Sequence, residues 1–450
     1  MTQEDKKQIT RRNYLKYVGA GIVVVGAAAA AAYYGTLPRS PPTPTETTTL
    51  ASATTSEVTT AGTCAATLDT LLCDFETLGD WTLVRGEAIV ADTTNFKGGT
   101  SSKGIKYTSA DGHILYATKP SAFSAVDKHF TAWAYLDVKD NLDESHFKLD
   151  VAGSGWTKYF SIEMGLRQGW NKVLWSRASA TAVGGAVDGA IGDWANITAM
   201  RVSLGSKAGT TVNLTLDDLH LIRDRFPGKI TLRFDDGLTS AYTIARPRMD
   251  AYGFRGVSLA ETGNVGKKDF MTTAQLTGLQ DRGWDIISHS VTHPNLTTTT
   301  ASEVEYQLAE SQRWLIANGF VKGSRFFAPP KDATNAAVVA QIMENYVGCS
   351  TGKGYGAIPP PDPYYLCVTI WVDGTTPLAN VQKVVDNART YNAWSIIAFH
   401  DLTGMEALFQ SIIDYIQASG LEVVTLSDVF DGTLEAGKLG SGYEPICSGG

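Results

Sequence analysis

Basic residues are in short supply: 38 Lys and Arg stand against 46 Asp and Glu, a formal charge of −8. Nucleic-acid binding needs a cationic footprint against phosphate, so this balance excludes nucleic acid as an expected partner. Cysteine is also scarce, with five in 450 residues. None of the five stands at metal-ligand spacing, which argues against thiolate chemistry. Histidine numbers seven, and only three of these follow Pro227. What remains has the composition of a globular protein, 43% hydrophobic and 19% charged, and the length predicts two or three domains.

Long apolar runs are absent except near the start. Arg11-Arg12-Asn13-Tyr14-Leu15-Lys16 precedes an apolar stretch from Tyr17 to Tyr34. A basic flank before an apolar run is the pattern of an export signal. The paired arginines resemble the twin-arginine signal; an ordinary basic flank is the plainer alternative. At about 18 residues the run is at the lower limit for spanning a bilayer, so it serves either as a membrane anchor or as a cleaved signal. Both place the rest of the chain outside the cell or on its surface. Residues 36–63 are rich in Thr, Ser and Pro and cannot bury enough surface to fold; they read as an extended stalk. Disulfides are compatible with export, and Cys349 and Cys367 are the expected pair, leaving Cys64, Cys73 and Cys447. Asn196, Asn213 and Asn295 begin Asn-X-Thr glycosylation sequons.

Residues 64–224 alternate polar and apolar side chains in short runs, such as His129 to Val138, Lys158 to Met164 and Asn213 to Leu221. Period-two alternation at this spacing predicts an all-β sandwich. Asp74-Phe75-Glu76, Gly169-Trp170-Asn171 and Leu216-Asp217-Asp218-Leu219 resemble jelly-roll carbohydrate-binding modules. Trp156 is a candidate for stacking on sugar rings, with core packing as the commoner role of Trp in a sandwich; for the domain, a structural spacer is the alternative to sugar binding.

From residue 225 to 432 the pattern changes to strands alternating with amphipathic helices, ahead of a tail at 433–450. Strands are expected at Lys229–Phe234, Gly256–Ala260, Trp284–Ser288, Gly323–Ala328, Tyr364–Ile370, Trp394–Phe399 and Leu421–Leu426. Such β-then-α repetition predicts a parallel sheet, open or closed as a barrel, with ligands at the carboxyl ends of its strands. Asp235-Asp236, His289, His293 and His400-Asp401 all fall at such ends. His289-Ser-Val-Thr-His293 puts two imidazoles four residues apart, on one face if the turn is helical, a spacing suited to divalent metals. Two surface histidines would give the same pattern. Adjacent carboxylates point different ways, so one is free to ligate a metal while the other faces a water.

Phe-Asp-Asp-Gly, then His-Ser-x-x-His-Pro-Asn-Leu, then Ile-Ile-Ala-Phe-His-Asp together resemble the polysaccharide deacetylases, the family-4 carbohydrate esterases. The resemblance implies a distorted (β/α) barrel that removes N- or O-acetyl groups from an acetylated polysaccharide. It also implies one divalent ion, foremost Zn2+ with Co2+, Ni2+ or Mn2+ as alternatives, held by Asp236, His289 and His293. Asp235 would be the base and His400 the acid. Many members carry an Arg-x-Pro-Tyr segment where this chain reads Ala328-Pro329-Pro330-Lys331, so the arginine expected to pair with the base is missing; Arg325 is the nearest upstream substitute. Lys331 would then offer its backbone N–H to the developing oxyanion, a role no proline can fill. Trp371 and Asp373 fall where the family lines its groove, with Asp373 expected to orient His400 and plain core packing as the alternative role of Trp371. Two further readings remain: hydrolysis of another C–N or ester bond, and a non-catalytic glycan-binding surface protein.

Overall fold

The computed structural model describes residues 69–434, apart from 84–87, 97–103, 110–112, 144–146, 154, 164, 167, 187–192, 224–226, 352–365 and 367. The export segment, the stalk, Cys64, Cys367, Cys447 and residues 435–450 lie outside the described residues, and with them the expected Cys349–Cys367 pair. No helix among the described residues is long and apolar enough to cross a membrane. The described residues belong to one compact unit, in which a first and a second part of the chain pack around separate cores.

The first core lies between two six-stranded antiparallel sheets. Setting aside the flanking strands Asp69–Cys73, Thr82–Leu83, Ala88–Asp92 and Thr181–Val183, the remaining strands count in chain order. One sheet then runs first, eighth, third, sixth, and the other fifth, fourth, seventh, second. That is the jelly-roll arrangement expected from the sequence. Alternation explains the core: Phe130, Ala132, Ala134 and Leu136 of one strand point inward and meet Leu149, Val151, Phe160 and Ile162 of the other sheet. Trp194 and Trp175 fill the middle, each at most 2% exposed. Trp156 is half-buried, with the Arg201 guanidinium over its ring at 4.2 Å. A different aromatic group gathers on the outward positions of the first sheet. Trp133 and Tyr135 lie 6.2 and 5.4 Å from Trp170, with Lys172 over Trp133.

Among the described residues the second part carries eight parallel strands. They are β1 (Lys229–Phe234), β2 (Val257–Ala260), β3 (Asp285–Ser288), β4 (Phe326–Phe327), β5 (Gly348–Cys349), β6 (Ile370–Val372), β7 (Trp394–Phe399) and β8 (Glu422–Val423). Their order is β5-β4-β3-β2-β1-β7-β6, with β8 beside the start of β1. The sheet curls so far that Leu366 and Val368, just before β6, donate to Cys349 at the end of β5 and to Thr351 beyond it. This is a distorted barrel. Helices α1 (Arg246–Asp250), α2 (Thr273–Gln280), α3 (Ala301–Ala317), α4 (Ala336–Asn345), α5 (Leu378–Thr390), α6 (Glu406–Ser419) and α7 (Leu426–Leu434) surround it.

Two cores follow from the period of two. Ile230, Leu232 and Phe234 of β1 join the helix-side core, where Phe234 stacks on Phe399 at 5.4 Å. Thr231 and Arg233 point the other way, toward a core that includes Leu259, Ile287, Trp394 and Ala398. Three expected strands are cut back here: Gly323–Arg325 is a tight helical turn ahead of Phe326–Phe327, the strand expected at Tyr364–Ile370 is found at Ile370–Val372, and Leu421–Leu426 is not one strand. Only Glu422–Val423 pairs with β1, and Leu426 begins α7, whose entrance is capped as Asp428 and Thr425 exchange hydrogen bonds. The two parts meet where Ile222 packs on Ala393 and the Asn387 amide donates to the Ala178 carbonyl at 3.1 Å.

Candidate active site

The strand ladders extend past their ends and carry the polar residues with them. Asp235 N donates to Phe399 O at 2.9 Å, His289 N to Ala260 O at 3.0 Å, and Ala328 N to Ser288 O at 2.9 Å. Beyond β1 the chain turns sharply, with Asp236 at φ 66° and Gly237 at φ 73°. A side chain at Gly237 would also meet the Leu259 carbonyl at 3.2 Å, so glycine suits this position on both counts.

His289 and His293 come together without a helix, contrary to the helical-turn expectation. The segment after β3 is irregular, with Ser290 at φ 68° and His293 at φ 58°. Its amides are satisfied from elsewhere: Gln307 of α3 accepts from Val291 N and Thr292 N, and Ser290 Oγ accepts from His293 N. The two rings end 4.9 Å apart. Two of the three expected ligands thus sit in the left-handed region, a conformation that non-glycine residues keep only where surrounding structure enforces it.

Asp236, His289 and His293 converge, with one donor atom from each within 4.8 Å of the others. His289 Nε2 and His293 Nε2 lie 3.3 and 3.5 Å from the same Asp236 oxygen. An ion with bonds of about 2.0–2.1 Å in tetrahedral geometry separates its donors by roughly 3.3 Å, so the spacing fits a divalent metal. The tautomer fits as well. His289 Nδ1 donates to the Ala328 carbonyl at 2.8 Å, so Nε2, the atom facing Asp236, is the one that would ligate once it gives up its proton.

Electrostatics act in the same direction. Burial alone would raise the Asp236 carboxyl, but the His289 hydrogen bond and the charges of His289, His400 and His293 hold it below its ordinary value. Burial and the charge of His289 push His293 down, toward the neutral form that ligates. For His289 burial opposes protonation, yet Asp236 and Asp235 outweigh it and raise the ring, which marks the place where a cation is favoured. Burial raises Asp332, a further carboxylate close enough to feel Arg233, Asp235, His289 and His400.

Asp235 is 3% exposed and is not short of a partner. Arg233, two residues earlier on β1, grips it with both arms of the guanidinium: Nε to Oδ1 at 2.8 Å and Nη2 to Oδ2 at 2.6 Å. The remaining arm donates to Ser350 Oγ at 3.0 Å. Arg325, the substitute suggested upstream, is instead paired with Asp431 at 2.8 and 3.1 Å. The arginine missing at Ala328 is therefore present, supplied from the opposite direction along the chain. The signal was in the sequence: on a strand, residues 233 and 235 share a face.

Across the site, the exposed His400 ring stacks on Trp371 at 4.7 Å and 20°. Trp371 in turn covers the Arg233 guanidinium at 5.2 Å. Asp373 does not take the role expected of it. Its Oδ1 accepts from Thr375 N, Thr375 Oγ1 and Thr376 Oγ1, closing its own turn. Lys331 follows Pro330 at φ 59° and lies near enough for its charge to act on His293.

Residues 223–346 match the polysaccharide deacetylase family model. This chain carries a polysaccharide deacetylase domain. The match takes in Arg233, the two aspartates and both metal-side histidines; Trp371 and His400 lie beyond it. A curated relative, YxkH of Bacillus subtilis (strain 168), provisionally named a polysaccharide deacetylase, is 28% identical over 140 residues. That is 30% of this chain, which spans about half the relative's length. Among solved structures, the domain is similar to the Xyl-CE4 domain of a multidomain xylanase from the hindgut metagenome of Trinervitermes trinervoides. There the identity is 23% over 46% of this chain and 91% of that one, with a TM-score of 0.35. It is also similar to the family 4 carbohydrate esterase of Streptomyces lividans, at 17% over 45% and 94%, TM-score 0.33. A third is BA3943, a CE4 family pseudoenzyme of Bacillus anthracis, at 15% over 46% and 66%, TM-score 0.35.

Proposed function

We propose that the deacetylase domain removes N- or O-acetyl groups from a polysaccharide in a metal-dependent hydrolysis, outside the cell or at its surface. The observation that carries the reading is the Asp236–His289–His293 triad beside a second carboxylate, Asp235, that is buried, paired and not a member of the triad. Zinc is the proposed ion, on the donor set and the spacing of its atoms; when bound it would polarise an acetyl carbonyl and make water more acidic. Asp235 would take the proton of the attacking water, so a C–O bond forms at the acetyl carbon. The bond to the sugar nitrogen or oxygen then breaks, His400 supplies the leaving group's proton, and acetate departs. The N–H of Lys331 would face the acetyl oxygen as it gains charge. Trp371, flat against His400, would hold that imidazole at the mouth of the site.

The proposed location rests on Arg11-Arg12 and the apolar run that follows them. A sugar-binding role for the sandwich is supported by Trp133, Tyr135 and Trp170, gathered on one outward face. Acetate release from chitin oligomers, acetylxylan, peptidoglycan and acetylated exopolysaccharide tests the reading. Release from at least one, abolished by chelation, is expected; a metal-loaded chain that releases none would reject it, leaving a glycan-binding surface protein as the outcome.

A further inference from the structure

We infer that Arg233 is the residue that positions the base, and that it ties base and acid together through Trp371. The inference rests on the reading of Asp235 as the base. An aspartate carboxylate turns about two bonds, Cα–Cβ and Cβ–Cγ, unless both its oxygens are held. Here both are held by one planar fork, at 2.8 and 2.6 Å. The fork is itself fixed. Its third arm donates to Ser350 Oγ, and that hydroxyl donates to Leu366 O at 3.0 Å. Trp371 covers the guanidinium face at 5.2 Å and lays its ring against His400 at 4.7 Å. One buried cation, 1% exposed, thereby touches the base directly and the acid through one intervening ring. The grip comes from β1 itself, so the loop Ala328–Asp332 carries no part of it. That loop is left to hold His289 through the Ala328 carbonyl and to present Lys331 and Asp332 at the cleft.

The test compares Arg233→Met, Asp235→Asn and the double variant in the full, metal-loaded chain, on whichever acetylated substrate the wild type turns over. Arg233→Met is expected to lower kcat by about 100-fold or more, with KM and bound metal within about threefold of wild type. The double variant should fall no further than Asp235→Asn alone, because both changes remove one unit. A kcat within about threefold of wild type, or losses that multiply in the double variant, would overturn the inference. Should Asp235→Asn keep wild-type kcat, it is the reading of Asp235 as base that fails. Two further contingencies have their own readout. If Arg233→Met does not fold, or if the wild type releases no acetate at all, a crystal structure of Arg233→Gln decides. An Asp235 carboxylate turned away from its present position supports positioning by Arg233; one that stays in place contradicts it.

Discussion

At the scale of single residues, the metal-side histidines differ in how they are held. His289 is 2% exposed and locked by the Ala328 carbonyl, whereas His293 has only its backbone fixed, through Ser290 Oγ. Pre-orientation lowers the entropy lost on ligation, so His289 should matter most for affinity. His289→Ala is expected to weaken zinc binding at least ~100-fold, read by competition against a chelating dye. Full retention of the ion would mean that the triad is not the site. The residues that bear chemistry were legible because types that are costly to bury recur at carboxyl ends of strands, where a parallel sheet places ligands. Arg233 was not, since the family pattern directs attention to Ala328 while the answer lay in the alternation of β1. Asp373 looked like a partner for His400, but a carboxylate followed by two threonines satisfies itself locally.

At the scale of elements, the site depends on close backbone approaches that tolerate no added atom. Gly323 lies just ahead of β4, and a Cβ there would meet Ile286 O of β3 at 2.1 Å and its carbonyl carbon at 2.6 Å. Both are backbone atoms of the strand that delivers His289. Gly323→Ala is expected to cost about 1–3 kcal/mol or more in urea unfolding. A variant as stable as wild type would show that β3 and β4 can separate without penalty. In the sandwich, Asp92 is 7% exposed and accepts from Thr94 N, Asn95 N, Asn95 Nδ2 and Thr215 Oγ1. Burial alone would raise its pKa, but these donors outweigh it and hold the folded carboxyl below its ordinary value. A depressed carboxylate stabilises above its unfolded pKa, and that contribution is lost as pH falls through the lower folded value. Asp92→Asn should therefore destabilise by about 1–3 kcal/mol at pH 7. The difference from wild type should shrink below the unfolded pKa; one that stays constant down to pH 2 would contradict this account. Long regular elements were legible from periodicity. The short bounds of β4 and β8 were not, nor was β5 at all, because the pairing of two-residue strands is decided by the neighbouring strands and not by their own composition.

At the scale of the whole molecule, two parts of different architecture share a modest junction, where Ile222 meets Ala393 and Arg177 lies over the Tyr391 ring at 5.0 Å. The change of texture near residue 225 marked this division in the sequence, whereas the junction itself left no trace there. The proposed division of labour has a measurable consequence. Trp133→Ala with Trp170→Ala should weaken retention on an acetylated polysaccharide while leaving acetate release from short oligomers within about twofold of wild type. Equal loss on short and long substrates would remove the sandwich from substrate capture. The central claim is that one divalent ion at Asp236, His289 and His293 enables hydrolysis of an acetyl group. It is tested most directly by titrating the chelator-stripped chain with zinc while following acetate release. Activity should rise in proportion to added metal and level off at about one ion per chain. Full activity in the stripped chain, or no ion bound at saturation, would contradict it.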